Sequence, residues 1–309
     1  MILETFPQAL ILTGPTGSGK SRLALDLAER LGAEIVSMDS MALYRHMDIG
    51  TAKPTADERR RVTHHLIDIL DPWESASVAW WLKQAVACCR DIVRRGKRPL
   101  FVGGTPLYLK ALLHGLFDGP PADETIRRRL SEEAAVQGSE SLHARLAAVD
   151  PVSAARLHVN DVRRVIRALE VWELTGRPIS AWQTQWDGAK HPHDDPPSRC
   201  LWLDLPRAEL YARINARVER MITEGLVEEV RALRRLEHPL SREAAQALGY
   251  KEMFDHLDGR ADLEETIRRL QTRSRQFAKR QITWFRHLPT CRPIVPELTF
   301  AAWGLTMKN

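Results

Sequence analysis

Short apolar runs alternate with stretches of helical periodicity over roughly the first third of the chain. After the first run, Leu23, Leu27 and Leu31 recur at the spacing of one helix face, and Gly32 marks its end. A longer amphipathic stretch, 77–97, precedes the last of these runs. The strand-sized apolar runs are residues 9–13, 33–40, 64–70 and 98–105. Strands that alternate with helices in this way predict a parallel sheet with crossover helices.

The pattern changes near Asp118, where a proline- and glycine-rich break is followed only by segments of helical period. A second proline-rich break, 187–198, leads back to a strand-like run, 199–206. Residues 207–288 are helical in period and strongly basic at their end, and the tail beyond them has no clear period. We therefore predict an α/β fold, a parallel sheet core flanked by helices, with an all-helical insertion domain. The predicted domains are a discontinuous core, 1–118 and 196–309, and the insertion, 119–195.

Composition and charge narrow the class of protein. The chain has 309 residues, of which 44% are hydrophobic and 28% charged, as in ordinary globular proteins. A net charge of +5 with clustered Lys and Arg suits a polyanionic partner, although a solvated basic surface is the plainer alternative. No stretch approaches the ~18 apolar residues of a membrane helix, so no membrane association is expected. Four cysteines without CxxC or zinc spacing indicate a reducing, cytoplasmic location.

The segment GPTGSGKS fits the phosphate-loop pattern G-x-x-x-x-G-K-[ST] between a predicted strand and a predicted helix. Its glycines let backbone N–H groups turn toward an anion, and the helix N-terminus adds its dipole. Lys20 supplies positive charge, and the Ser21 hydroxyl is a candidate Mg²⁺ ligand. A chance glycine-rich turn is the alternative. The candidate phosphate-binding residues are Gly14, Pro15, Thr16, Gly17, Ser18, Gly19, Lys20 and Ser21.

The acid that accompanies such a loop in ATPases is missing from the expected place. The run 98–105 ends in two glycines and Thr105, and Asp204 lies inside its own predicted strand. This disfavours a motor or signalling NTPase. Asp39 instead sits at the carboxyl end of the second strand, where open α/β sheets bind ligands. With Thr105 in the same crevice, Asp39 is a candidate proton acceptor for group transfer, or else an ordinary turn residue.

Basic residues cluster on predicted helices. Arg213 and Arg217 lie one helical turn apart, which is also typical of a solvated helix face. A second group shares one face of the insertion: Arg163, Arg164 and Arg167. Near the C-terminus, basic residues alternate with aromatic ones, a composition that suits phosphate contacts and base stacking, with core packing as the alternative. These C-terminal residues are Arg273, Arg275, Lys279, Arg280, Arg286, Phe277, Trp284 and Phe285.

Together these motifs resemble those of the tRNA dimethylallyltransferases, also called tRNA isopentenyltransferases. The resemblance covers nearly the whole chain to about Leu288. The blocks that carry it are GPTGSGKS, SMDSMALYRHMDIGTAKP, HHLIDILDP, LFVGGTPLYLKALLHGL, HVNDVRRVIRALEVWELTGRP, ALGYKE and AKRQITWFR. The family fold is a P-loop α/β core with a helical insertion, which is the layout predicted above.

The resemblance implies an activity and a set of roles. The family transfers a dimethylallyl group from dimethylallyl diphosphate to the N6 amine of adenosine 37, beside the tRNA anticodon. The phosphate loop would then hold the donor's diphosphate, with Mg²⁺ as cofactor on Ser21. Asp39 matches the general base. Thr105 matches a residue that helps bind the diphosphate and marks the reaction channel, and Arg217 matches a diphosphate-binding arginine.

The resemblance also implies contacts with the anticodon stem-loop of tRNA. Many members have Gln where this chain has Ala42, which puts one contact to the target base in doubt. A monomer without an obligate protein partner is expected. The implied tRNA-contacting residues are Asp39, Ser40, Met41, Ala42, Thr105, Arg127, Arg163, Arg164, Arg167, Gln246, Gly249, Tyr250, Lys251, Arg275, Lys279 and Arg280.

Three other functions remain open at this point. A relative that prenylates free AMP, ADP or ATP would share the phosphate loop but would not need the basic insertion. A small-molecule kinase would pair the same loop with a strand-end Asp that binds the acceptor. A non-catalytic RNA-binding module would leave the phosphate loop and Asp39 unexplained.

Overall fold

Two compact units make up the chain, here named the core unit and the helical unit. The core unit comprises Met1–Leu113 and His191–Asn309, and the helical unit comprises His114–Lys190. The computed structural model describes residues 2–117, 119–183 and 198–303. The predicted boundary at Asp118 and nearly all of the predicted break 187–198 lie outside these residues.

A six-stranded parallel sheet forms the centre of the core unit, in the order β3-β2-β4-β1-β5-β6. Leu100 of β4 lies between Leu10 of β1 and Ile35 of β2, which fixes the register at the middle of the sheet. The predicted parallel α/β core is thereby confirmed. The strands are β1 Leu10–Thr13, β2 Ala33–Ser37, β3 His64–His65, β4 Arg98–Gly103, β5 Cys200–Leu203 and β6 Arg292–Ile294.

The helices account for most of the remaining described residues. In chain order they are α1 Ile2–Thr5, α2 Lys20–Leu31, α3 Ala56–Arg61, α4 Val78–Arg94, α5 Pro106–His114, α6 Glu124–Gln137, α7 Ser139–Val149, α8 Pro151–Arg156, α9 Val162–Thr175, α10 Arg207–Thr223, α11 Leu226–Leu233, α12 Arg242–Ala245, α13 Tyr250–Leu257, α14 Leu263–Arg286 and α15 Thr299–Ala302. None of the described helices is both long enough and apolar enough to cross a membrane.

Alternate residues of the strands pack into two apolar layers, one on each face of the sheet. One layer joins Ile11 and Phe101 to Trp81 of α4. The other joins Leu12 and Leu100 to α2. Because the central strands are buried on both faces, most of their residues are apolar, and this is why the sequence pattern reveals them.

Helix α14 spans the core unit with one buried face and one basic face. Asp262 caps its first turn by accepting the Glu265 N–H, at 2.7 Å. Its buried side chains recur at helical spacing and include Leu270, Ala278 and Phe285. Core packing, which the sequence offers as the alternative to nucleic-acid contacts for this stretch, applies to the buried face of α14. The basic residues between the buried positions lie on the other face.

The helical unit has a separate apolar core between α6, α7, α8 and α9. It includes Leu130, Leu146 and Leu169, all of them fully buried. Asp150 caps α8 by accepting the Ser153 N–H at 2.9 Å. The described part of this unit contains helical segments only, including a short 3₁₀ turn, Ile179–Ala181.

Two segments differ from the sequence prediction. The run 64–70 gives only the two-residue strand β3, because Leu66 and Asp68 adopt positive φ angles of 60° and 56° that an extended strand excludes. The tail after residue 288 has more order than its lack of period suggests. Within it, β6 pairs with β5 in parallel and forms an edge of the sheet.

Candidate functional site

The phosphate loop connects β1 to α2 at the carboxyl edge of the sheet, where β1 lies between β4 and β5. Gly17 and Gly19 have φ angles of 80° and 84°, which favour glycine. A Cβ on Gly17 would lie 2.8 Å from Ile214 of α10, so packing also excludes a side chain there. The loop is therefore shaped by its glycines and by the helix packed against it, with its backbone turned toward the start of α2.

Lys20 begins α2 and lies under the loop, where its Nζ donates to the Pro15 carbonyl at 3.3 Å. Burial removes water from the Lys20 ammonium group and lowers its pKa to about 8, and the nearby Asp39 carboxylate partly opposes this shift. A bound anion would restore the charge that burial disfavours. The position of Lys20 thus suits a diphosphate.

Helix α10 adds two arginines to the loop. Arg217 donates to the Thr16 hydroxyl at 3.1 Å, and Arg213 donates to the Ser18 carbonyl at 3.5 Å. Loss of hydration lowers the pKa of Arg217, and the charge of Asp39 opposes this shift. The predicted Arg217 therefore lies at the loop. Arg213 was not among the predicted binding residues, although its spacing of four from Arg217 was the signal for it.

Asp39 and Thr105 lie on two adjacent connections that follow β2 and β4. The Thr105 N–H donates to the Met38 carbonyl at 3.2 Å, and the Thr105 hydroxyl accepts the Ser40 N–H at 3.1 Å. One carboxylate oxygen of Asp39 accepts the Met41 N–H at 2.9 Å. Within the described part of the chain, no hydrogen-bond donor contacts its second oxygen, which leaves that oxygen to accept a proton.

The two glycines after β4 allow these connections to approach each other. A Cβ on Gly103 would lie 2.2 Å from the Met38 backbone, which no side chain permits. A Cβ on Gly104 would lie 2.6 Å from Gln281 and 3.1 Å from the Gly14 carbonyl. The Gly-Gly turn that the sequence placed at a strand end is thus the point where β2, β4 and the phosphate loop come together.

These groups line one cavity of about 1120 Å³ within the core unit. The volume slightly exceeds the range usual for a single small ligand, so there is room for a donor together with part of an acceptor. The phosphate loop and Lys20 form one part of the lining, and Asp39 and Thr105 another. Helix α14 contributes residues including Phe277, Arg280 and Gln281.

The predicted tRNA-contacting residues of the core unit divide into two groups. Those that line the cavity are Asp39, Ser40, Met41, Ala42, Thr105, Gln246 and Arg280. Those placed elsewhere are Gly249, Tyr250, Lys251, Arg275 and Lys279. Tyr250 is fully buried and donates to Glu229 at 2.6 Å, so its side chain has a packing role. Arg275 donates to Asn215 of α10 at 2.6 Å, whereas Lys251 and Lys279 are exposed.

The arginines of the helical unit also divide into two groups. Arg127 and Arg167 both bond to Glu170, at 2.9 and 2.6 Å, and Glu170 is fully buried. Burial alone would raise the pKa of Glu170, but the hydrogen bonds from Arg167, the Asp123 N–H and Arg127 outweigh it and lower the pKa. Arg163 and Arg164 are exposed on the same helix. The helical spacing used in the sequence analysis therefore could not distinguish the arginines that pair with Glu170 from those that face solvent.

The side chains near Ser21 show how the predicted Mg²⁺ could be bound. The Ser21 hydroxyl lies in the first turn of α2 and lines the cavity with Asp39. The described residues include no group of three or more His, Cys, Asp or Glu side chains that could hold a metal ion. This set fits a hard cation that takes one protein hydroxyl and completes its coordination with phosphate oxygens and water.

Asp204, predicted to lie inside a strand, immediately follows Leu203, the last residue of β5. It therefore lies at the carboxyl edge after all, because the strand ends one residue earlier than its apolar pattern suggests. The described lining of the cavity does not include it. A motor or signalling NTPase is therefore disfavoured by the Gly-Gly end of β4, where no acid follows the strand, and no longer by the position of Asp204.

A model of the IPP transferase family matches residues 42–288, and an isopentenyl transferase model matches residues 7–68. The chain belongs to the IPP transferase family. The resemblance found in the sequence motifs is thereby confirmed. A tRNA dimethylallyltransferase of Geobacter metallireducens is 53% identical over 92% of this chain and 91% of its own length.

Two solved structures of this transferase family have the same fold. The tRNA isopentenylpyrophosphate transferase of Bacillus halodurans is 42% identical, with a TM-score of 0.66 over 94% of this chain and 90% of its own. A eukaryotic dimethylallyltransferase acting on tRNA is 28% identical, with a TM-score of 0.74 over 93% of this chain and 73% of its own.

Proposed function

We propose that this chain is a tRNA dimethylallyltransferase, which transfers a dimethylallyl group from dimethylallyl diphosphate to N6 of adenosine 37, beside the anticodon. The observation that carries the proposal is one cavity that joins a phosphate loop, a carboxylate with one oxygen that no described donor contacts, and a basic, aromatic helix face. The names and activities of the relatives support the same reaction. A kinase would explain the phosphate loop but not this family membership.

The reaction exchanges one bond for another. N6 of the adenine forms a bond to C1 of the dimethylallyl group, and the bond from C1 to the diphosphate oxygen breaks. Its electron pair leaves with the diphosphate, and the N6 proton passes to Asp39. The adenine amine is a weak nucleophile because its lone pair is delocalised, so both the leaving group and the proton need help from the protein.

Charge that grows on the leaving diphosphate would be stabilised by groups already fixed around the loop. These are Lys20, Arg217 and the loop N–H groups, with Arg213 next to them. Because their positions are set before the reaction, they stabilise the developing charge without reorganisation. Mg²⁺, held by the Ser21 hydroxyl and the diphosphate oxygens, would supply further neutralisation of the leaving group.

The acceptor base must leave the stack of the anticodon loop to enter the cavity, which costs less in a loop than in a duplex. Asp39, Ser40 and Thr105 would then face the adenine, and Phe277 and Arg280 of α14 would contact the neighbouring nucleotides. The exposed Arg163 and Arg164 of the helical unit would contact phosphates. We also infer that the protein acts as a monomer in the cytoplasm, in keeping with its free cysteines and with tRNA as substrate.

The proposal is tested by replacing the base. The Asp39→Ala variant should lower the rate of transfer to unmodified tRNA by 10² to 10⁴, the range typical of general base catalysis, and should leave tRNA binding within a few-fold. Asp91→Ala is a matched control, because Asp91 is an acid on α4 whose ion-pair partners among the described residues are the exposed Arg94 and Arg95. Near-normal turnover of Asp39→Ala would remove Asp39 from the role of base.

The acceptor is tested separately. The wild-type protein should incorporate the prenyl group from labelled dimethylallyl diphosphate into unmodified tRNA in the presence of Mg²⁺, as read by mass analysis of nucleosides. Transfer to AMP, ADP or ATP alone would establish the free-nucleotide activity instead. Phosphorylation of a small molecule with consumption of ATP would establish a kinase.

A further inference from the structure

Gln281 joins two of the connections that form the cavity. It lies on α14 and is buried, with only 2% of its surface exposed. Its Oε1 accepts the Thr16 N–H of the phosphate loop at 2.9 Å, and its Nε2 donates to the Gly104 carbonyl at 2.6 Å. One side-chain amide therefore bridges the loop after β1 and the turn after β4.

The chemistry of the two partners fixes the orientation of this amide. The Thr16 N–H can only donate and the Gly104 carbonyl can only accept, so the oxygen of Gln281 must face the first and its nitrogen the second. A carboxylate at this position could not donate to Gly104, and an apolar side chain would leave both backbone groups unpaired. Glutamine combines the required length with one acceptor and one donor.

The bridge continues to the carboxylate that we propose as the base. Gly104 precedes Thr105, whose N–H donates to the Met38 carbonyl and whose hydroxyl accepts the Ser40 N–H. Asp39 lies between Met38 and Ser40 and is held at both sides by these bonds. A short chain of hydrogen bonds thus runs from the phosphate loop through Gln281 to the segment that carries Asp39.

We propose that Gln281 is a positioning residue, which sets the distance between the diphosphate-binding loop and Asp39. The inference rests on the proposed function, because it assumes that the donor lies on the loop and that the acceptor amine faces Asp39. The reacting carbon and the attacking nitrogen must approach to about 3–3.5 Å, and a misplacement of about 1 Å can cost about 10² in rate. In this role Gln281 acts through the backbone groups of Thr16 and Gly104, to which the two ends of its amide are bonded.

The experiment separates positioning from binding. Gln281→Met has the same length and no polar group, and it should lower the single-turnover rate of prenyl transfer at least tenfold. The dissociation constants of inorganic diphosphate and of unmodified tRNA should remain within about threefold of the wild type. Gln281→Asn keeps the amide but is one methylene shorter, so it cannot span both partners and should show the same separation of rate from affinity.

Gln271→Met is the matched control. Gln271 lies on the same helix, and the hydrogen bond of its side chain to a described residue is a 3.4 Å contact with the exposed Glu219. Its single-turnover rate should stay within twofold of the wild type. Thermal unfolding of all variants identifies any that lose activity because they lose structure, and Gln281→Asn then provides the decisive measurement if Gln281→Met does not fold.

Two results would overturn the inference while leaving the proposed function intact. In the first, the wild-type protein prenylates tRNA and both Gln281 variants do so within twofold of its rate. In the second, the loss of rate is matched by an equal loss of diphosphate affinity, which would make Gln281 a support for binding alone. Failure of the wild-type protein to prenylate tRNA would instead contradict the proposed function.

Discussion

Lys20 is buried, and burial disfavours its charged form. Its state of protonation should therefore depend on whether an anion is bound at the phosphate loop. Burial lowers its pKa to about 8 from an ordinary value of 10.5, and Asp39 only partly opposes the shift. In the free protein the lysine is therefore mostly charged at pH 7 and mostly neutral at pH 9. A diphosphate favours the charged form, so binding above pH 8 requires the uptake of a proton.

This linkage predicts how the affinity for diphosphate depends on pH. Well below pH 8 the lysine holds its proton and contributes no pH dependence, whereas well above pH 8 its loss of charge should lower the affinity, relative to that of Lys20→Arg, by up to about tenfold per pH unit. Calorimetric titration with inorganic diphosphate between pH 7 and 9.5 measures it. Lys20→Arg keeps its charge throughout, so its affinity should be much flatter over this range. An equal slope in both proteins would contradict the assignment to Lys20.

Individual residues were predictable from the sequence where their signal was local. Asp39 and Thr105 stood at strand ends, and the structure places both at the cavity. Gln281 gave no such signal, because its partners Thr16 and Gly104 are 265 and 177 residues away along the chain. Only the packing of α14 over the edge of the sheet brings these groups together, and periodicity carries no information about which helix lies there.

At the scale of elements, the helical unit contains a buried carboxylate with more than one arginine partner. Glu170 of α9 is fully buried and accepts bonds from Arg127 of α6 and from Arg167 one turn back on its own helix. Arg167 also donates to the Pro120 carbonyl at 2.8 Å and lies over the ring of Phe117. The side chains therefore tie α6, α9 and the segment before α6 to one another.

Removal of this carboxylate should destabilise the helical unit. Glu170→Gln leaves two arginines without their anion, and breaking a buried pair costs about 3–5 kcal/mol, with the lower end expected because both arginines reach solvent. The free energy of unfolding from a denaturant titration measures the change. Glu124→Gln is the matched control, since Glu124 contacts the same Arg127 but is 84% exposed, and it should change stability by less than about 0.5 kcal/mol. Equal effects of the two substitutions would contradict the argument.

Elements were predictable in proportion to their burial. The central strands β1, β2, β4 and β5 are mostly apolar and were visible as runs. Of the two edge strands, β3 was predicted as a run, 64–70, longer than the strand itself, and β6 gave no clear pattern. Strand β3 has two residues, and the turn after it is held by Asp68, which pairs with Lys53 and Arg59. Strand β6 contains a proline and exposed residues, and its existence depends on pairing with β5. An edge strand shows little pattern because only part of its surface is covered.

At the scale of the whole molecule, the parallel α/β fold and the family followed from the sequence because ordered motifs extend over most of its length. The matched family model likewise extends over residues 42–288. The sequence could not show which basic residues are available to a polyanion. Several arginines are paired internally, as at Glu170 and at Glu252, where Arg273 contacts a buried carboxylate. The net charge of +5 therefore does not itself describe a binding surface.

The arginines that face solvent are the ones expected to contribute to tRNA binding, and the dependence on salt distinguishes them. Each phosphate contact releases counterions, so removing one contact should reduce the slope of log affinity against log salt concentration by about 1. Arg163 is exposed on α9, and Arg163→Ala should weaken tRNA binding most at low salt and reduce the slope, while diphosphate binding stays unchanged. Filter binding of unmodified tRNA between low and moderate salt measures both quantities.

Arg94→Ala tests whether this effect is specific to the helical unit or follows from total charge. Arg94 is 80% exposed at the end of α4 and pairs with Asp91, so the substitution removes the same charge from a different surface. Its slope should match the wild type, because a charge without a phosphate contact releases no counterions. Equal slopes for Arg163→Ala and the wild type, or equal losses in the two variants, would mean that tRNA does not contact the exposed arginine of α9.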